Sequence, residues 1–313
     1  MNNPSNKELN KNHEDEIDLY ELFHVLWYKK FYIGVITTIF IIVSVIYAVM
    51  SPNIYKSEAI MMPVETNSGM NGMLGQYSGI ASMAGLSLPS ESGTKSQEAI
   101  ARIRSFEFFS NHFLPFINLQ DLIAIKKWNQ VSNILIYYED DFNSELNKWV
   151  RKVKPPRSLI PSSQEAYLTY KDTMNIVEDK KTSFVSLSIE HISPFIAQQW
   201  VELIITQIDK TMRDQDKQES IKSIEYLNEV ASSANYEGIK KTLSSLQEEQ
   251  MKVLMMVEAN EDYVFKVIEL PIAPEIQSKP KRSLIVILGA IMGFMISVVG
   301  SLVFHYTRNP YEE

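Results

Sequence analysis

Residues 193–220 read SPFIAQQWVELIITQIDKTMRDQDKQES. Ser193-Pro194 has the chemistry of an N-cap followed by the first helical position, where a missing N–H costs nothing. Ile196, Trp200, Ile204, Ile208 and Met212 then fall four apart, which buries one face of a helix. Beyond Met212 the octet Arg-Asp-Gln-Asp-Lys-Gln-Glu-Ser has no apolar side chain, and a helix polar all round is expected to leave the core and stand in water. Ser232-Ser233-Ala234-Asn235 interrupts the pattern. Tyr236, Ile239, Leu243, Leu246, Gln250, Val253 and Val257 then recur at alternating steps of three and four, a stripe of about three heptads. Such a stripe needs a partner helix, either the preceding arm or a neighbouring subunit. A continuous helix from Pro194 to Ser232 would be about 58 Å long at 1.5 Å per residue. Since Tyr263 to Leu270 reads as a strand, the chain has to come back, and a helical hairpin standing on an α/β base satisfies that constraint.

The strands of the base are expected on both sides. Ser183 to His191 carries Phe184, Val185, Leu187 and Ile189, and Ile54 to Pro63 is likewise rich in apolar, β-favouring residues. Helical signals lie at Gln97 to Phe109 and around Asn143 to Val150. Between Glu65 and Ser96 sit six of the eleven glycines, Gly69, Gly72, Gly75, Gly79, Gly85 and Gly93, with many Ser and Met. That composition predicts a mobile loop, and its glycines lack the spacing and following Lys of a phosphate-binding loop. Lys148, Arg151, Lys152, Lys154 and Arg157 form a basic cluster broken by Pro155-Pro156. It is either a solvated linker or a contact for phosphate or acidic sugar, with Arg151, Lys152, Lys154 and Arg157 as the candidates.

Further out, two uncharged apolar runs bracket everything so far. Phe31 to Met50 follows Lys29-Lys30, and Leu284 to Phe304 follows Lys279-Pro280-Lys281-Arg282-Ser283. Each is long enough to cross the hydrocarbon core as a helix. The first is expected to stay as an anchor, since some 30 residues including Asp15, Glu16, Asp18 and Glu21 precede it. The organisation expected is 1–30, a span at 31–50, a large domain at 51–283, a span at 284–304 and a tail at 305–313. Two spans put both termini on one side, but the flanking charges do not say which. Lys29, Lys30 and Arg308 stand against Lys56, Lys279, Lys281 and Arg282. In the second run Gly289, Gly293, Ser297 and Ser301 recur at four-residue spacing, a small-residue face suited to close helix contact and self-association. Ahead of the first run, Leu19, Leu22, Phe23 and Leu26 suggest either a short amphipathic helix on the membrane surface or the lead-in to the span.

Composition removes several function classes. The chain has 313 residues, 45% hydrophobic and 22% charged, so it is no disordered polymer. A net charge of -8 lacks the basic footprint of a general nucleic-acid binder. No cysteine occurs, which removes disulfides, thiolate metal sites and cysteine nucleophiles. His13, His24, His112, His191 and His305 are scattered without metal-ligand spacing. Glu139-Asp140-Asp141 offers adjacent acids of the solvated kind, and no Gly-x-Ser-x-Gly elbow or kinase signature appears. No catalytic, cofactor or metal residue is expected.

The ordered set of local segments resembles a known family. Glu16-Ile17-Asp18-Leu19 precedes the anchor, and Pro52-Asn53-Ile54-Tyr55-Lys56-Ser57 follows it. Lys180 to Glu190, Ser193-Pro194 with Ala197 and Trp200-Val201, and Ala259 to Ile268 come next. Pro271, Pro274 and Pro280 lead into the glycine-bearing span. Together they resemble the Wzz-type polysaccharide co-polymerases, the O-antigen chain-length determinants, over nearly the whole chain. The resemblance implies a bacterial inner-membrane protein with both termini cytoplasmic and its large domain periplasmic, built as an α+β fold. A membrane-proximal α/β base would carry a long projecting helical hairpin, flanked by two transmembrane helices. It further implies a ring-like homo-oligomer, without cofactor, that works beside a separate O-antigen-type polymerase on lipid-linked polysaccharide and sets polymer length. Lacking a phosphate loop, the chain resembles the non-kinase members; its Gly-rich loop departs from the shorter ones. Ring geometry would act as ruler or timer, with Gly289, Gly293, Ser297, Ser301, Tyr236, Ile239, Leu243, Leu246, Val253 and Val257 as contacts between copies or with the polymerase. The alternative is a chain-length or export co-polymerase for a capsular or exopolysaccharide in place of O-antigen. A two-span periplasmic sensor is a remote alternative, because it needs a cytoplasmic output module and only nine residues follow Phe304.

Overall fold

The computed structural model describes residues 19–64, 95–233 and 236–308. The Gly-rich loop expected at 65–96 lies outside the described residues except for its last two, which begin a helix. Glu16 to Asp18, and the side chains of Leu19, Leu22 and Phe23 on the expected amphipathic stripe, also lie outside them. The chain divides into two compact units, 1–53 with 278–313, and 54–277.

The first unit is built on α1 (Leu19–Tyr28), α2 (Lys30–Met50) and a C-terminal helix, Arg282–Arg308. Both long helices are apolar enough to cross a membrane by length and composition. They pack antiparallel, since Lys29 Nζ donates to Ser301 O at 3.4 Å at one end and Arg282 Nε donates to Ala48 O at 3.2 Å at the other. Their hydroxyls largely bond within their own helices: Thr37 Oγ1 to Ile33 O, Thr38 Oγ1 to Gly34 O, Ser44 Oγ to Ile41 O and Ser297 Oγ to Phe294 O, each at 2.8 Å. Internal satisfaction of this kind removes most of the cost of placing a hydroxyl in an apolar medium. Ile39, Ile42, Val43 and Ile46 on α2, and Ile287, Leu288, Ile291 and Phe294 opposite, remain exposed. An apolar band of that extent is not a surface for water.

The second unit centres on a four-stranded antiparallel sheet. Numbered along the chain, its strands are β1 (Tyr55–Pro63), β6 (Met174–Glu178), β7 (Val185–His191) and β8 (Phe265–Glu269), in the order β6-β7-β1-β8. Since β7 and β8 both run antiparallel to β1, they are parallel to each other across it. Alternation does what period two demands: Tyr55, Ser57, Ala59 and Met61 are buried along β1, with Met174 and Ile176 on β6. The connection from β7 to β8 is a helical hairpin, α6 (Pro194–Ser233) and α7 (Glu237–Ala259). Pro194 opens α6 as expected, and Ala197 N–H donates to Ser193 O at 3.1 Å. At 40 residues α6 is about 60 Å long.

The core lies between the sheet, the first half of α6 and an aromatic nest. Helix α3 (Lys95–Ile103) leads into three short turns, Phe106–Phe108, Phe109–Phe113 and Leu114–Phe116, the middle one of π type. Ser105 caps them by accepting from Phe108 N–H. Phe109 and Phe113 meet Tyr170 of α5 (Ser163–Thr173) at ring-centroid distances of 4.9 and 5.0 Å, and Phe113 meets Trp200 edge-on at 5.6 Å. Tyr170 is fully buried yet donates to Ile103 O at 2.9 Å, so its hydroxyl costs little. Desolvation pushes its pKa well above the usual phenol range.

Two small ribbons complete the unit. After α4 (Leu119–Ile123), β2 (Ile125–Asn129) pairs with β3 (Ile134–Tyr137). β4 (Phe142–Asn143) pairs with β5 (Lys148–Trp149), where the sequence pattern suggested a helix. The reason is local: Asn143 Oδ1 accepts from Leu146 N–H at 2.8 Å, Asn147 takes φ 49°, and Trp149 packs edge-on against Phe142 at 5.3 Å. A turn closed by an Asx bond and a left-handed Asn outweighs weak helical periodicity.

Candidate functional site

The most organised polar constellation lies where the returning arm of the hairpin rejoins the sheet. Continuing the four-residue stripe of α6 past Met212 gives Asp216 and Ser220, with Asp209 and Arg213 one position further round. Arg213 Nη1 donates to Val257 O at 2.6 Å and Asn260 O at 2.7 Å, and its Nη2 to Glu261 O at 2.8 Å. These carbonyls at the end of α7 and just beyond it are left without helical partners, and one guanidinium takes three of them. Asp209 Oδ2 accepts from Arg213 Nη2 at 3.0 Å, while its Oδ1 accepts from the backbone N–H of Tyr263 at 2.9 Å and of Val264 at 3.0 Å. Asp216 accepts from Lys95 Nζ at 2.6 Å and from the hydroxyl of Tyr263. Lys95 also reaches that hydroxyl at 2.6 Å, and Lys217 pairs with Glu258. Tyr263 is buried, and burial together with the Asp216 carboxylate raises its pKa far above the ordinary phenol value. The charges neutralise one another in pairs. The cluster is built to hold a joint rather than to react.

The polar octet of α6 therefore does not simply stand in water, as its composition suggested. Ser220 is buried, and Arg213 and Asp216 expose under a quarter of their side chains. Composition alone hides this, because a polar face turned to carbonyls and carboxylates looks like a polar face turned to solvent. The signal was the stripe itself, whose spacing does not stop at Met212.

A second polar fixture involves the basic cluster. Arg151 is buried and forms a bidentate pair with Glu165 of α5, with Nη2 to Oε2 at 2.8 Å. Its Nε donates to Leu159 O at 2.8 Å and Nη2 to Ser158 O at 2.9 Å. The Arg151 bond holds the Glu165 carboxyl below its ordinary pKa and raises that of Arg151. Arg151 is thus a structural staple and drops out as a glycan or phosphate contact. Lys152, Lys154 and Arg157 remain exposed.

The other expected contact residues fall into two groups. On α7, Leu243 and Val257 are buried and Val253 partly so, while Gln247 Nε2 bonds Asn228 Oδ1 at 2.7 Å across the hairpin. The partner of the heptad stripe is the preceding arm. Tyr236, Ile239 and Leu246 stay largely exposed, Tyr236 by 74%. In the last helix, α8 (Arg282–Arg308), the small-residue face is filled from within the chain. A Cβ on Gly289 would lie 2.5 Å from Ser44 Cβ, and one on Gly293 2.6 Å from Phe40 Cβ. Ser297 and Ser301 are buried as well. The close contact inferred from spacing is present, but α2 of the same chain occupies it, so Gly289 and Gly293 offer no free face to another copy.

Glu139 lies exposed and accepts from Ser144 Oγ at 3.0 Å. Among the described residues no group of three or more His, Asp or Glu side chains could hold a metal ion. His191 is buried: its Nε2 bonds Asp121 O at 2.9 Å and its Nδ1 accepts from Ser193 N–H at 3.0 Å. Burial depresses its pKa, so it is the neutral Nε2–H tautomer beside Trp200.

Comparison with known proteins bears on residues 15–105, which match the family model described as Wzz: Chain length determinant protein. The match takes in α1, α2, β1 and α3, and the resemblance drawn from Glu16–Leu19 and Pro52–Ser57 falls inside it. Among solved structures, a "full-length bacterial polysaccharide co-polymerase" aligns over 95% of this chain and 100% of its own, at 12% identity and TM-score 0.40. A "Fragment of WzzB, Polysaccharide Co-polymerase from Salmonella Typhimurium" aligns over 72% of this chain and 100% of its own, at 12% identity and TM-score 0.30. At that level of likeness the two structures add nothing to the family match. Among curated proteins none matches.

Proposed function

We propose that this chain, which carries a Wzz chain-length-determinant region over residues 15–105, is a non-catalytic inner-membrane regulator of surface-polysaccharide chain length of the O-antigen type. The family match over the first apolar helix and the strand after it is the observation that carries the reading. The antiparallel pair α2 and α8 supports two spans with both termini on one side; in this reading, as the resemblance implies, that side is cytoplasmic and residues 51–283 are periplasmic. The cluster of Lys95, Asp209, Arg213, Asp216 and Tyr263, a clamp between hairpin and sheet, supports a mechanical role, because its charges are spent on holding the two together. In this reading the chain acts as a homo-oligomer beside a separate polymerase on lipid-linked polysaccharide. Tyr236, Ile239 and Leu246 face a second copy, and Lys152, Lys154 and Arg157 face the acidic or phosphorylated polymer.

Deleting the gene and displaying surface polysaccharide on a gel tests the function. A lost or broadened length distribution, restored by the intact chain, is expected; an unchanged ladder refutes it. Gly289→Leu with Gly293→Leu should shift the same distribution by forcing α2 and α8 apart. Reporters fused at Leu74 and Asn235 should read periplasmic, and a cytoplasmic reading would overturn the topology.

A further inference from the structure

We propose that the β2–β3 ribbon is a membrane-contact element: its outward face rests in the lipid surface on the side of the bilayer that the 54–277 unit occupies. The inference rests on the two-span reading above and adds a third point of attachment to it.

Composition is the first observation. The stretch from Ile125 to Tyr138 reads IKKWNQVSNILIYY, with Lys126 and Lys127 and no acid, in a chain of net charge -8. The ribbon also sorts its residues by face. Trp128, Leu135 and Tyr137 turn inward, Trp128 edge-on to Tyr55 at 5.5 Å and to Phe195 at 6.0 Å. Tyr137 donates to Asp121 Oδ1 at 2.6 Å and packs against Phe142. Outward, β3 presents Ile134 and Ile136 across from Asn129 and Lys127 of β2, so that face is apolar along one strand and polar and basic along the other. Val131 at the turn is 98% exposed, and Ile134, Ile136 and Tyr138 follow on that face.

Tethering locates the ribbon. Gln130 Nε2 donates to Tyr55 Oη at 2.8 Å, and the Trp128 ring meets the Tyr55 ring edge-on. Tyr55 opens β1 and comes five residues after Met50, the last residue of α2. Five residues span at most about 18 Å fully extended. If α2 crosses the bilayer, the anchor of the ribbon therefore cannot be far from its surface. Aliphatic tips entering the acyl boundary, a tyrosine at headgroup level and lysines near lipid phosphate form the side-chain set of an interfacial contact. Within the ribbon itself Lys126 and Lys127 are the only charges, and the acids Glu139-Asp140-Asp141 begin just after Tyr138.

The native absence of cysteine makes the test direct. Val131→Cys, Ile42→Cys and Glu225→Cys in the full chain carry an environment-sensitive fluorophore, in vesicles of zwitterionic and anionic phospholipid containing shallow or deep spin-labelled lipid. Ile42 marks the span and Glu225 the exposed hairpin. Several-fold stronger quenching at Val131 than at Glu225 by the shallow lipid, reduced when Ile134→Asp and Ile136→Asp are added, is the expected result. Quenching at Val131 equal to that at Glu225, with Ile42 still quenched, overturns the ribbon proposal and leaves the spans intact. An unquenched Ile42 overturns the two-span reading, and the ribbon proposal with it. Disulfide-linked dimers of Val131→Cys without quenching would assign the ribbon to a contact between copies and equally refute membrane contact.

Discussion

From Pro194 to Met212, helix α6 is held mainly by apolar side chains against a sheet and an aromatic nest; from Arg213 onward charge-assisted bonds to backbone and carboxylate are added to the apolar stripe of α7. Trp200, Val201, Ile204, Ile208 and Met212 are buried in the first half, while the polar tertiary contacts of the second run through Arg213, Asp216, Lys217 and Asn228. The difference separates strength from orientation. Apolar burial is strong and tolerant of direction. A guanidinium bonded to three named carbonyls is weaker in net free energy but fixes an angle.

Substitutions can break the two halves separately. Trp200→Ala should cost about 3–5 kcal/mol, because it opens a cavity against Phe113 and His191, and urea unfolding of the whole second unit should report it. Arg213→Ala should cost about 2 kcal/mol, with the loss local. Hydrogen exchange should quicken at 257–264 and along α7 while β1 and β7 keep their protection. Uniform loss of protection would show that the halves are one cooperative unit. Tyr263→Phe, which removes only the hydroxyl shared with Asp216 and Lys95, should cost about 1 kcal/mol by the same measurement. Tyr236→Ser, at an exposed site, should change stability by less than about 0.5 kcal/mol. It should nonetheless alter oligomer size in native mass measurement if the return arm meets a second copy.

Acid sharpens the same comparison. His191 sits in the apolar half with its folded pKa depressed by burial, so the unfolded chain binds its proton first. Its contribution is whole above about pH 6.5, the ordinary histidine value, and is lost as pH falls from there through the folded pKa. Glu165, lowered by Arg151, contributes above about pH 4.3 and loses its share further down. The midpoint of thermal unfolding should fall between pH 7 and pH 5.5, and His191→Gln should flatten that portion of the curve.

Much of this architecture was legible in the residues. Ser193-Pro194, the four-residue stripe and the Ser232 to Asn235 break identify the hairpin, and β-rich segments at Ile54, Ser183 and Tyr263 identify three of the four sheet strands. Periodicity reports such features because burial of one face repeats along the chain. Bonds between a side chain and a distant carbonyl leave no period. Lys95, Asp209, Arg213 and Tyr263 were for that reason invisible as a cluster, though Asp216 and Ser220 sat in plain continuation of the stripe. Arg151 looked like a solvated cation because its neighbours in sequence are; its partner Glu165 lies fourteen residues on, across Pro155-Pro156. The spacing of Gly289 and Gly293 led to an expectation of contact between copies, whereas the helix against them is α2 of the same chain, a distinction that spacing does not encode.

The clamp meets α6 near its middle, and that position has a leverage. From Met212 to Ser233 the helix runs about 32 Å at 1.5 Å per residue. A tilt of about 5° at the clamp moves the far end about 3 Å, on the order of the gap between a formed and a broken side-chain contact. Small adjustments where the arm is gripped are thereby delivered, magnified, to whatever meets its tip.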